Sequence, residues 1–171
     1  SEIILRPQQL CNLSECVVRW DDTPAMLKKK VRLATILGTL QATLTDFRYL
    51  RKKWKDNTAE ECLLGVSLTG ILDNQRMGTI GPELAKELEE LKNETIKTNK
   101  EWSAKLGINQ STAITCVKPS GTVSQLVNSA SGIHGRFSHY YIRRVRADSR
   151  DPLCAVLEAA GVPVEDDVMS P

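Results

Sequence analysis

Apolar residues recur at Leu27, Val31, Ala34, Leu37, Leu40 and Leu44, three or four positions apart, and this spacing predicts one long amphipathic helix. Asp21, Asp22 and Thr23 ahead of Pro24 supply its start, since polar caps followed by an early Pro suit a helix N-terminus. Before it, IILR (from Ile3) and ECVVRW (from Glu15) read as strands around a polar loop holding Pro7, Cys11 and Asn12. A shorter helix through Phe47, Leu50 and Trp54 carries the basic run RKKWK, which reads as a solvated face. The apolar run LLGVSLTGI, from Leu63 to Ile71, predicts a buried strand that turns at Thr69-Gly70, followed by a loop (ILDNQRMGTIG). Pro82 opens a second long helix through Leu84, Leu88, Leu91, Ile96 and Trp102, and Gly107 stops it. STAITCV (Ser111 to Val117) is expected as a buried strand, KPSGTVSQLV as a turn into a helix, and YYIRRVR (Tyr140 to Arg146) as a strand alternating apolar and cationic positions. Asp151-Pro152 starts a last helix that ends near Gly161.

Strands alternating with helices predict an α/β arrangement with a mostly parallel sheet or barrel. Neither a repeat nor a low-complexity linker divides the chain, so residues 1–171 read as one domain or one large piece of a domain.

Composition narrows the chemistry. At 171 residues and 41% hydrophobic, the chain can bury a core, which excludes a disordered tail. With 23 basic against 21 acidic residues there is no general cationic excess of the kind phosphate-backbone binders show, so no nucleic-acid partner is expected. The apolar stretches are short and interrupted by charge, which argues against a membrane span or leader and leads to the expectation of a soluble, cytoplasmic setting. Five cysteines without CxxC spacing, beside two histidines, exclude a zinc site and a secreted disulfide framework, and no metal site is expected. Cys16, Cys62, Cys116 and Cys154 read as buried apolar thiols. Trp20, Trp54 and Trp102 read as packing residues.

Two constellations carry chemistry. In KPSGTVS a buried strand ends and a helix begins, so unpaired N–H groups and the positive end of a helix dipole face one point. That point suits a phosphate: Gly121 allows close approach, and Ser120, Thr122 and Ser124 offer hydroxyls; the alternative is a plain helix cap. The second constellation is Glu2 with Cys11. A carboxylate near a substrate hydroxyl can act as general base and a loop thiol can supply a proton and an electron, while the alternative is a surface Glu and an inert Cys. His134 is a loop histidine that could line a site entrance, and Arg143, Arg144 and Arg146 are either ion-paired strand residues or phosphate contacts.

SEIILRPQQLCNL, VRLATILGTLQATLTDFRYLRKKW, LLGVSLTGILD and VKPSGTVSQLVNSASGIHGRFSHYYIRRVR together resemble the adenosylcobalamin-dependent ribonucleoside-triphosphate reductases, the monomeric class II branch of ribonucleotide reductase. The likeness runs along nearly the whole chain. It implies part of a ten-stranded α/β barrel of the ribonucleotide reductase and glycyl radical type, with residues 1–20 ending a finger loop and residues 111–146 holding the phosphate-binding turn and the strand after it. In the family motif Asn-Pro-Cys-x-Glu the Cys becomes a thiyl radical. Ser1 then occupies the x position, Glu2 is the motif's Glu and general base, and Cys11, in its C-N-L setting beside Asn12, is the redox thiol. Pro119, Ser120, Gly121, Thr122, Val123 and Ser124 match the segment that holds substrate phosphates.

The resemblance further implies adenosylcobalamin as cofactor, a ribonucleoside triphosphate as substrate, thioredoxin or a similar dithiol as reductant, and the upstream remainder of the same polypeptide as partner. The radical Cys, the second redox Cys, the allosteric nucleotide site and the shuttle cysteines are outside these 171 residues, so the chain alone is expected to be inactive and to leave sheet edges and apolar surface exposed. A non-catalytic nucleotide- or phosphate-binding module is the rival reading, and an RNA-binding surface built from RKKWK and YYIRRVR is a third. A partial sequence and an intein junction both account for a chain that starts at Ser1. The source gene is expected to encode Asn-Pro-Cys joined to Ser1, directly or after splicing; an unrelated upstream segment in the gene, checked by intact mass of the natural protein, removes the radical carrier from this reading.

Overall fold

In the computed structural model residues 3–169 are described, and Ser1, Glu2, Ser170 and Pro171 lie outside the described residues. Strand β1 spans Asn12–Val17, α1 Pro24–Gln41, α2 Lys52–Glu61, β2 Leu64–Thr69, α3 Gln75–Gly78, α4 Pro82–Leu106, α5 Thr122–Leu126 and α6 Pro152–Ala159. The chain divides into two compact units, one ending at Arg136 and the other beginning at Phe137.

In the first unit β1 and β2 pair in parallel, with Asn12 opposite Leu64 and Val17 opposite Thr69. Parallel neighbours need a long crossover, and α1 and α2 lie between them in sequence. The stretch expected as a strand from Ser111 to Val117 joins the far side of β2 through one parallel bridge, Val66 to Thr115. Its spacing is irregular there: Leu64 N–H donates to the Ala113 carbonyl (2.9 Å) and Val66 N–H to the neighbouring Ile114 carbonyl (2.8 Å), which breaks the even ladder.

The α/β expectation therefore holds, with a two-stranded parallel sheet and one further bridge among the described residues; the ten-stranded barrel is not present in them. Ile3–Arg6 is not a strand. The chain turns at Pro7 and Gln8, with Gln8 at a φ of 61°, and Arg6 bonds to α2 instead of to a strand neighbour. Tyr140–Arg146, in the second unit, is also not a strand: its alternating pattern is exposed along its length and no ladder partner is found among the described residues. That unit contains α6, and ion pairs Arg144–Glu165 (3.0 Å) and Arg146–Asp167 (2.8 Å) take up two of the arginines. The expected loop after β2 folds into a 3-10 turn at Ile71–Asp73 and the single-turn α3.

Pro24 starts α1 as expected, and the Thr23 hydroxyl caps it by accepting the Met26 N–H. The buried stripe differs from the predicted one after its first two turns. Leu27, Val31 and Ala34 face inward, but the stripe continues through Thr35, Gly38 and Thr39, while Leu37, Leu40 and Leu44 point outward. The same inversion occurs on α4, where Thr95, Thr98, Asn99 and Ser103 are buried beside Leu91, and Leu88 and Ile96 are exposed. α1 packs on α4 through this polar seam.

Small polar side chains work in a helix seam when every polar atom has a partner. Thr35 and Thr39 hydroxyls donate to carbonyls one turn back (2.7 Å each). Fully buried Asn99 donates from Nδ2 to Thr39 Oγ1 (3.1 Å) and Ser111 Oγ (2.9 Å), and its Oδ1 accepts the Ser111 N–H (2.9 Å). One side chain thus joins α1, α4 and the start of the third strand segment. Replacing Asn99 by Ala, measured by denaturant unfolding of the natural full-length protein, is expected to cost about 2–3 kcal/mol, because buried partners are left unsatisfied.

Candidate functional site

β1 has two faces. Ser14 and Leu64 lie on the α1 side, where both approach Gly38, whereas Leu13 and Cys116 meet over Gly65 on the opposite side. A Cβ at Gly65 would come within 2.4 Å of Leu13 Cδ2 and 2.9 Å of Cys116 Sγ, so the glycine is what lets these side chains close over the sheet. The alternation of a strand puts Glu15 on the face of Leu13.

Cys11 stands one residue ahead of β1 and is half-buried. Both of its neighbours are pinned: Leu10 N–H donates to Thr58 Oγ1 (3.2 Å), and Asn12 N–H to the Leu63 carbonyl (2.8 Å). Asn12 Nδ2 also approaches the Leu63 carbonyl, at 3.4 Å. Upstream, buried Gln9 donates to Glu61 Oε2 (2.5 Å) and to the Asn57 carbonyl (3.1 Å), and Arg6 reaches Glu60 and the same carbonyl. This clasp onto α2 fixes the loop that carries the thiol. The proposed base Glu2 lies outside the described residues.

The KPSGTVS segment leaves the third strand segment at its C-terminal end, where parallel α/β sheets place their ligands. The helix it opens, α5, has five residues, too few to build much of a dipole, so any anion recognition falls to individual N–H groups and side chains. Gly121, Thr122 and Val123 are exposed, whereas Ser120 and Ser124 are buried. The Ser120 hydroxyl donates to Glu15 Oε1 (2.7 Å) and accepts the Ser124 N–H (3.2 Å), and the Ser124 hydroxyl donates to the Gly121 carbonyl (3.0 Å). Two of the three expected hydroxyl donors therefore hold the turn together, and Thr122 carries the outward one. Pro119 is exposed at the bend.

A second strand of chain supports the turn from below. Ser131 donates its hydroxyl to the Ser120 carbonyl, and Gly132, at a φ of 56°, packs so close that an added Cβ would sit 3.1 Å from the Lys118 carbonyl. Thr69, the last residue of β2, donates to the Ala130 carbonyl (3.2 Å) and accepts the Gly132 N–H (2.7 Å). His134 is exposed, with Nδ1 3.2 Å from the Ser131 carbonyl, the geometry of a loop-stabilising histidine.

Beside this loop, Arg136 forks onto Asp73 (2.9 and 3.0 Å) and also donates to the side chain and carbonyl of Asn128 (2.9 Å each). Arg19, Trp20, Asp73, Asn128 and Arg136 line an open cavity of about 440 Å³. Burial works to raise the Asp73 pKa, but the Arg136 hydrogen bonds, the Ala130 N–H and the charges of Arg136 and Arg19 outweigh it and hold the carboxyl below its usual value. Burial also pushes the Cys16 thiol up to about 12, against the pull of Lys30, and raises Cys62, so both are the inert thiols the sequence implies. Cys116 and Cys154 are only half-buried, a departure from that reading. Among the described residues no group of three His, Cys, Asp or Glu is placed to hold a metal ion, and no helix is long and apolar enough to cross a membrane.

Glu15, Asp73 and Arg136 were not singled out by sequence. For Glu15 the available signal was a lone carboxylate at the head of the expected strand ECVVRW; for Asp73 and Arg136, 63 residues apart, periodicity holds none. Because folding lowers the Asp73 pKa from about 3.8, its stabilisation is fully present above that value and is lost as pH falls through the lower folded value. Asp73→Asn is expected to destabilise the natural protein by about 1–2 kcal/mol near neutrality, and the thermal-unfolding difference from wild type should close below about pH 4.

No family model matches the chain. An adenosylcobalamin-dependent ribonucleoside-triphosphate reductase of Lactobacillus gasseri is 37% identical over 90 residues, covering 53% of this chain and 12% of that protein. The protein of the same description from Levilactobacillus brevis is 41% identical over 75 residues, 44% of this chain and 10% of its own length. The crystal structure of a B12-dependent (class II) ribonucleotide reductase superposes with a TM-score of 0.73 at 26% identity, over 99% of this chain and 27% of that one. The chain thus corresponds to about a quarter of the solved reductase, and the resemblance read from its motifs stands: in sequence over about half its length, and in fold over nearly all of it, it is similar to the adenosylcobalamin-dependent, class II ribonucleotide reductases.

Proposed function

We propose that the chain is a downstream portion of the catalytic barrel of an adenosylcobalamin-dependent ribonucleoside-triphosphate reductase, beginning with the end of the finger loop. The observation that carries this reading is the joint placement of two motifs on one parallel sheet. Cys11 is pinned at the entry to β1, and the phosphate-type turn of residues 118–124 leaves the strand segment on the far side of β2 and is bonded to β1 through Glu15.

In this reading a thiyl radical on the Cys preceding Ser1 takes hydrogen from the ribose C3′ and Glu2 accepts the proton of the 3′-hydroxyl, and both are returned to the product at the end of the turnover, which restores the thiyl radical. The 2′-hydroxyl leaves as water. Cys11 and a second cysteine elsewhere in the polypeptide supply two electrons and two protons and end as a disulfide, which an external dithiol such as thioredoxin reduces by thiol exchange. The exposed backbone of Gly121, Thr122 and Val123 and the Thr122 hydroxyl hold the substrate phosphates, while Ser120 and Ser124 shape the turn. When bound, adenosylcobalamin supplies the initial radical. The reading assigns cobalamin contacts to none of the described residues. Pinning of Leu10 and Asn12 orients the Cys11 thiol, and the clasp on α2 keeps that loop from unravelling between turnovers.

In the natural full-length enzyme Cys11→Ser is expected to abolish multiple-turnover reduction with a dithiol reductant and to leave triphosphate affinity within about twofold. Normal reduction by this variant removes the redox role, and triphosphate binding without any reduction by the wild-type protein favours a plain nucleotide-binding module.

A further inference from the structure

The carboxylate of Glu15 has no part in the chemistry above, yet it sits where the candidate redox strand meets the candidate phosphate turn. Its side chain is 13% exposed, although β1 is otherwise apolar or small on that face. Oε1 accepts the Ser120 hydroxyl at 2.7 Å, and Oε2 lies 3.9 Å from Lys118 Nζ. Across 105 residues of sequence, this is the side-chain contact by which β1 reaches the turn.

A serine hydroxyl has one proton and can point it in several directions. An ionised carboxylate is acceptor-only, so Glu15 fixes the Ser120 proton toward itself and leaves the Ser120 lone pairs facing the Ser124 N–H, which lies at 3.2 Å. Ser124 is thereby held in the first turn of α5, and its own hydroxyl closes on the Gly121 carbonyl. The three intervening N–H groups, of Gly121, Thr122 and Val123, have no preceding helical carbonyl to bond to and are held in one arrangement. Lys118 balances the carboxylate, so that a negative charge can stand behind an anion-binding turn without repelling the anion at full strength.

We infer that Glu15 is a positioning residue for phosphate recognition: by holding the Ser120 hydroxyl it sets the 118–124 turn in its binding shape and ties that shape to the strand behind Cys11. The inference rests on the reading of this turn as the substrate-phosphate site. It makes the accepted hydrogen bond, and not the charge alone, the operative feature.

The test uses the natural full-length enzyme and three variants, with ribonucleoside triphosphate and inorganic tripolyphosphate as probes in equilibrium binding and steady-state turnover. Glu15→Ala is expected to weaken both ligands and raise KM about tenfold, the loss of one hydrogen bond to a charged group, with kcat within about threefold. Glu15→Gln keeps an acceptor oxygen for Ser120 and is expected to restore affinity to within about threefold of wild type. Gly121→Val, whose added Cβ meets nothing within 4 Å in the protein, projects into the space assigned to the phosphate and should abolish binding of both probes. If Glu15→Ala does not fold, Ser120→Ala removes the same bond from the other side and should reproduce its KM effect. Where both fold, the double variant should lose no more than either single one. Wild-type affinity in Glu15→Ala, or equal loss in Glu15→Gln, overturns the inference while Gly121→Val still reports on the turn. Unchanged binding in Gly121→Val overturns the phosphate reading and this inference with it.

Discussion

The parallel pairing of β1 with β2 is the constraint on which the rest depends. Its register, Asn12 on Leu64 through Val17 on Thr69, fixes which side chains of β1 look toward α1 and which toward the candidate site. A slip of one residue would exchange the two faces, sending Glu15 into the helix layer and Ser14 toward the turn. Anchors at both ends oppose such a slip. Asn12 N–H bonds to Leu63 at the entry, and Val18 N–H bonds to Thr69 at the exit (2.8 Å each). Beyond the exit, buried Asn74 gathers the carbonyls of Arg19 (2.9 Å) and Asp22 (3.1 Å), and Lys30 joins Asp22 (2.5 Å) to the Val17 carbonyl (3.0 Å).

The helix layer contributes placement more than hydrophobic bulk. Where α1 meets α4, Asn99 reaches Thr39 (3.1 Å) and Arg32 reaches Thr98 (3.2 Å), while Gly38 lets α1 close on Leu64 of the sheet. The cost of burying such groups is offset by closed hydrogen-bond networks, with Asn99 at the centre. Ion pairs flank these contacts: Arg32 of α1 reaches Glu101 of α4 at 2.9 Å, and Arg76 of α3 forks onto Glu87 of α4 at 2.8 and 2.9 Å. Partly buried pairs of this kind discourage other helix pairings through charge.

At the candidate site the same economy of parts recurs. The turn of residues 118–124 has no long helix behind it, so its shape comes from contacts that converge on it: Glu15 from β1, Ser131 and Gly132 from the returning loop, and that loop's own attachment to Thr69 and Asp73. Arg136 closes the far end by clamping Asn128 to Asp73. A ligand held at the turn would therefore bear on the C-terminal ends of both paired strands, while Cys11 belongs to the opposite, entering end of β1.

The sequence by itself determined much of the local structure. Pro24 and Pro82 mark the starts of α1 and α4, Gly107 ends α4, the LLGVSLTGI run makes β2, and PSGTVS leads from a strand segment into a short helix. These depend on capping, on proline geometry and on apolar runs that neighbours a few residues away can satisfy. Motif likeness likewise made the resemblance to the cobalamin-dependent reductases legible, because it needs residue identity and not packing. Tertiary structure decided what depended on distant partners. IILR and YYIRRVR have strand composition, but a strand exists only beside another, and the described residues offer them none. Leu37 and Leu40 fit a helical stripe, yet the sheet and α4 turned Thr35, Gly38 and Thr39 inward, because close helix approach favoured small side chains over larger apolar ones. Glu15 became the tie to Ser120 only when β1 and the 118–124 turn, more than a hundred residues apart, were set against the same sheet; no local pattern encodes that meeting.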